Sequence, residues 1–189
     1  MPSEMVRWGG LAGLAAGVMF LLSGILYFIV APPLPTRPLG SFGDYLYEVV
    51  VAVAFALALL ALAGLHALQR GRYGRLGAVG SLLMFLGYAI VLVSAHLIVL
   101  VGGEPIYFVR LMGGLVMVVG SILLGVMTLY ARVLPLWCGV LLIVGLPLDE
   151  LLDWGVLSES IVFAIVWGLI GYALLSRRGT VEEQPSRVS

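Results

Sequence analysis

Six apolar stretches run along the chain, separated by short breaks of charged, proline or glycine residues. They cover roughly 8–30, 45–68, 76–101, 111–131, 134–154 and 158–176. Segments such as LIVLV and FALALLALAGL are continuously apolar and do not alternate. At 1.5 Å per residue, ~20 residues cross the ~30 Å hydrocarbon layer of a bilayer. Such stretches must be helical there, because lipid offers no partner to an unpaired peptide group. A barrel would need alternating strands of ~10 residues. The pattern therefore predicts an all-α fold: a six-helix transmembrane bundle forming one domain over 1–176, followed by a polar tail over 177–189. The first stretch reads as a retained helix, since it is longer than a signal-peptide core and runs into IVAPPLP, not into a small-residue cleavage site. Segment 31–44 holds four prolines and two glycines and reads as an irregular outer loop.

The arginines orient these helices. With the N-terminus in the cytoplasm, Arg7, Arg70, Arg72, Arg75, Arg132, Arg177, Arg178 and Arg187 fall inside, and only Arg37 and Arg110 fall outside. The acids run the other way: Asp44, Glu48, Glu104, Asp149, Glu150, Asp153 and Glu159 lie outside, against Glu4, Glu182 and Glu183 inside. Basic residues flanking spans stay on the cytoplasmic side. The expected placement is a multi-pass protein of the bacterial inner membrane with both termini cytoplasmic.

Composition narrows the chemistry. Of the 189 residues, 62% are hydrophobic and 11% charged, against ~45–50% and ~25% in soluble domains. An ordinary cytosolic enzyme and a disulfide-rich secreted scaffold are excluded. The formal charge is zero, so no long-range field attracts nucleic acid. All ten basic residues are arginine, so Schiff-base chemistry on lysine is excluded. The single cysteine, Cys138, closes no internal disulfide and builds no thiolate metal site. There is no HExxH, CxxC or phosphate loop. No cofactor and no metal is implied.

Small residues mark where helices can approach. Gly9, Gly13 and Gly17 stand four apart on the first helix, a spacing that lines one face and lets backbones pack closely. That face serves either packing within the chain or an oligomer interface. The expected partners are the lipid bilayer and, through such faces, a second copy or another membrane subunit. A slim stripe on the fourth helix, Arg110, Gly114, Met117, Ser121, Gly125, Thr128 and Arg132, reads as a packing face with an arginine at each end.

Ionisable groups within membrane segments are costly and are functional candidates. Glu48 and His66 share a face of the second helix but lie ~27 Å apart along it. His66, next to Gln69 and Arg70, reads as a solvated interfacial histidine. His96 lies ~9 Å below the outer boundary on the third helix. The fifth helix has only 15 residues between Leu134 and Leu148, too few to span. It is expected to continue past Pro147, which would put Asp149 and Asp153 on one face. Glu48, His96, Arg110, Asp149 and Asp153 thus fall at similar depth, and they form the candidate polar pocket near the outer leaflet, with Arg110 as counter-ion.

The inner-side segments GRYGRLGAVG and ARVLPLWCGVLL make the chain resemble the small, uncharacterised multi-pass membrane proteins of GC-rich bacteria. The resemblance carries no known active site, and no residue role follows from it. Three functions remain open: a non-enzymatic binding, accessory or sensory subunit; a small proton- or cation-coupled carrier; and an intramembrane lipid-modifying enzyme.

Overall fold

In the computed structural model, residues 2–30, 42–101, 104–152 and 156–176 are described, and they form six helices and no strand. These are α1 (Pro2–Val30), α2 (Phe42–Gln69), α3 (Gly74–Val101), α4 (Glu104–Ala131), α5 (Leu136–Leu152) and α6 (Val156–Ser176). Four of them, α1 to α4, are long and apolar enough to cross a membrane. The apolar parts of α5 and α6 are shorter, Leu136–Leu148 and Ser160–Ser176. The chain is thus a helical bundle of membrane type.

Helices α1 and α4 begin about two turns earlier than the apolar pattern alone indicates. Pro2 and Pro105 sit in the first turns, where the helical N–H groups have no partner to lose. The short α2–α3 connection is tightly built. The α2–α3 turn is closed by Arg70 N–H donating to the His66 carbonyl at 2.8 Å and Arg72 N–H to the Gln69 carbonyl at 2.8 Å. Gly74 then opens α3 with φ 63°, a conformation that costs glycine little. Helix α4 ends where Arg132 takes φ 51°. Helix α5 continues through Pro147 and includes Asp149 and Glu150. The proline removes one backbone hydrogen bond without ending the helix.

Each helix packs on its sequence neighbours, and α6 returns to α1, so the six form a closed ring; α2 also touches α6. Neighbours run antiparallel. The closest approaches are made at glycine. A Cβ on Gly9 would lie 2.5 Å from the Gly64 Cα on α2, and one on Gly13 would lie 2.8 Å from the Gly171 Cα on α6. On Gly17 it would meet the Ala164 carbonyl oxygen at 2.9 Å. Gly9, Gly13 and Gly17 are therefore occupied by contacts within the chain. Between α3 and α4, Gly80 backs onto Leu124 and Gly120 onto Met84; between α4 and α5, Gly125 backs onto the Gly139 carbonyl. Close backbone contact gains dispersion energy, which replaces the hydrophobic drive that lipid cannot supply.

The centre of the ring is an aromatic knot. Phe20 of α1, Phe55 of α2, Tyr88 of α3, and Phe163 and Trp167 of α6 are all buried. Phe20 meets Phe55 edge-on at 5.3 Å between centroids, and Tyr88 meets Trp167 at 5.6 Å and 79°. Edge-to-face arrangements of this kind suit the ring quadrupoles. Trp167 Nε1–H donates to the Tyr88 hydroxyl at 2.7 Å, which satisfies an indole donor at mid-depth.

Candidate functional site

Two polar layers lie at opposite ends of the aromatic knot. The first is at the end that holds the candidate pocket. There the first turn of α2 carries Asp44, which is buried, and Glu48 and Arg110 are half-buried; each of the three is engaged in an interaction. An acid in the first turn of a helix gains from the positive end of the helix dipole. Nearby, the Ser23 hydroxyl donates to the Phe20 carbonyl at 2.7 Å and lies 3.3 Å from the Ser160 hydroxyl, joining α1 to α6. His96 and Asp149 lie on the helical backbone of α3 and α5, but their side chains lie outside the described residues, as does Asp153 altogether. Asp44 was not singled out in the sequence, where it looks like one more acid beside a loop.

The second layer, at the arginine-rich end, is where the structure departs from the sequence reading of His66. This histidine is half-buried and hydrogen-bonded within the protein. The Tyr73 hydroxyl is hydrogen-bonded to His66 Nδ1, and the Ser81 hydroxyl lies 3.1 Å from the same nitrogen. Ser81 also hydrogen-bonds Tyr73. The three groups thus form one hydrogen-bonded chain of Ser81, Tyr73 and the imidazole. The Tyr73 ring lies directly over Gly77, where a Cβ would collide with it. Together these contacts tie the end of α2 to the start of α3.

Behind this chain, Gln69 is fully buried. The Thr128 hydroxyl lies 2.8 Å from the Leu124 carbonyl and 3.1 Å from Gln69 Oε1, but it has one proton to give. Among the described residues, the Gln69 amide nitrogen has no acceptor. With the amide turned over, that nitrogen would donate to Thr128 while Thr128 donates to Leu124, a better-balanced arrangement. Either way the pair joins α2 to the last turn of α4.

Burial pushes the Tyr73 phenol above its ordinary value, and the bond with Ser81 partly offsets this. The raised value favours the fold below pH ~10, where both folded and unfolded Tyr73 are neutral, and this contribution is lost as pH rises through the folded value. Thermal unfolding in detergent between pH 8 and 11 is therefore expected to show an alkaline loss of stability that is smaller in Tyr73→Phe than in the parent chain. Equal losses would show that Tyr73 ionises as freely in the fold as outside it.

Among the described residues, no group of three or more His, Cys, Asp or Glu is placed to hold a metal ion. Compared with known proteins, the chain matches no family model, no curated protein and no solved structure.

Proposed function

We propose that the chain is a multi-pass protein of the bacterial inner membrane that crosses it six times with both termini cytoplasmic, and that it acts as a non-enzymatic binding or accessory subunit. The outer surface supports the membrane placement. Exposed aromatic residues form two rims. Trp8, Tyr130, Trp137 and Tyr172 stand at the arginine-rich end; Phe28, Phe42, Tyr45 and Phe108 stand at the other. Trp8 and Phe28 are separated by ~30 Å along α1, and Phe108 and Tyr130 by ~33 Å along α4. That is the thickness of the hydrocarbon layer, and aromatic side chains favour its two boundaries. The arginine excess supports the orientation.

The observation that carries the functional part is the sealed aromatic centre. A carrier binds its substrate near mid-depth, commonly beside interrupted helices. Here that depth is filled by Phe20, Phe55, Tyr88, Phe163 and Trp167, each at most 4% exposed. The polar layers lie above and below this knot and are separated by it.

Two measurements test the reading. In a Cys138→Ser background, Gly71→Cys adds a thiol where a Cβ meets nothing within 4 Å. It is expected to react with a membrane-impermeant maleimide only after the inner face is opened. Proteoliposomes carrying the full chain are expected to hold an imposed proton or sodium gradient as long as protein-free vesicles do. Faster decay that Glu48→Gln slows would overturn the subunit reading in favour of a coupled carrier using Glu48, His96, Asp149 and Asp153.

A further inference from the structure

Four arginines converge at one corner of the bundle. On α3 and α4, Gly80 faces Leu124 and Gly87 faces Met117, which fixes one antiparallel register. Extended to the helix ends, this register brings Arg72 and Arg75 level with Arg132. The contact between Gln69 and Thr128 at 3.1 Å draws the end of α2, and Arg70 with it, to the same corner. All four arginines are exposed. No acid occurs between Glu48 and Glu104, or between Glu104 and Asp149, so the facing ends of α2, α3, α4 and α5 carry no carboxylate. Glu4 is at this end of the bundle, but on α1, which packs against α2 and α6.

Unbalanced like charges at one level favour an anion. The apolar neighbours of the corner indicate which kind. Tyr130, Leu76 and Leu136 are 77%, 60% and 64% exposed and flank the arginines on the outer surface. A free phosphate would use the guanidinium groups alone, whereas a phospholipid would use both the arginines and the apolar flank. Guanidinium forks match phosphate oxygens in pairs, and basic clusters at the cytoplasmic ends of membrane helices attract anionic headgroups.

We propose that this corner is a site for one anionic phospholipid, with the phosphate held by Arg72, Arg75 and Arg132 and the acyl chains lying along Tyr130, Leu76 and Leu136. The assignment rests on the membrane reading above.

The test uses the full chain in nanodiscs of phosphatidylcholine mixed with phosphatidylglycerol, with retained lipid counted by native mass spectrometry. The parent chain is expected to retain one phosphatidylglycerol in preference to phosphatidylcholine. Arg132→Gln should weaken that preference about fivefold, and Arg72→Gln with Arg132→Gln about 25-fold. Arg7→Gln, on α1 and away from the corner, should leave it unchanged. Equal retention by the parent chain and the double variant, or equal loss in Arg7→Gln, overturns the proposal. So does displacement of the lipid by inorganic phosphate, which would assign the corner to a free anion. Unaltered size-exclusion profiles confirm folding, and Arg75→Gln serves as the replacement variant if the double one aggregates. A chain that inserts into pure phosphatidylcholine discs but shows no lipid preference refutes the site and leaves the membrane reading intact. A chain that fails to insert refutes both.

Discussion

Gly13→Leu is expected to stop α1 from seating on α6 and to lower stability by about 3 kcal/mol or more. The added Cβ would lie 2.8 Å from the Gly171 Cα and 3.0 Å from the Trp167 carbonyl oxygen. These are backbone atoms, and they cannot rotate away as a side-chain tip can. The helices would have to separate, and the close contacts along the rest of the face would loosen with them. Thermal unfolding followed by fluorescence-detected size exclusion measures the effect. Gly168→Ala is the matched control: it lies on the opposing helix of the same interface, yet a Cβ there meets nothing within 4 Å. It should be neutral or slightly stabilising, since alanine is the better helix former. Equal behaviour of the two variants would show that the α1–α6 contact does not hold the ring closed.

Trp167→Ala should cost about 3–5 kcal/mol, the usual range for deleting a fully buried large aromatic side chain. The indole is 0% exposed and packs edge-on against Tyr88. The loss combines that contact area, the residual cavity and the donor to Tyr88. Trp167→Phe separates these parts. It keeps a ring in place and gives up the hydrogen bond, so its cost should be nearer 1 kcal/mol. Comparable midpoints for the alanine and phenylalanine variants would mean that the bond, and not the packing, holds the centre together.

These residues also show what could be read from the amino-acid order and what could not. The succession of helices was legible, because in an apolar medium each segment must satisfy its own peptide groups and so declares itself locally. The extra turns at Pro2 and Glu104 were not, because a helix can run on into the headgroup zone where hydropathy carries no signal. The four-residue spacing of Gly9, Gly13 and Gly17 marked a close-packing surface, yet it did not reveal that Gly9 serves α2 while Gly13 and Gly17 serve α6. Each step of four residues rotates the face by ~40°, so the ridge drifts from one neighbour to the next.

His66 looked solvated because Gln69 and Arg70 follow it within about a turn. Its actual partners come from across a turn, at Tyr73, and from 15 residues away, at Ser81. That pairing depends on the reversal through Gly74, which the apolar pattern does not encode. Of the candidate pocket, the half-buried state of Glu48 and Arg110 follows from their place one turn or so inside helix ends. The run of α5 through Asp149 depended on tolerance of Pro147, and that is a tertiary matter.

The closure of α6 onto α1 has a consequence for biosynthesis. The glycines of the first helix wait for Ala164, Gly168 and Gly171, about 150 residues downstream, or roughly 8–30 s of translation at ordinary rates. Until α6 leaves the ribosome, α1 has only α2 to pair with, and half of its ridge faces lipid. A nascent chain truncated before α6 therefore leaves that half of the ridge uncovered, and the ring closes only once α6 has been made.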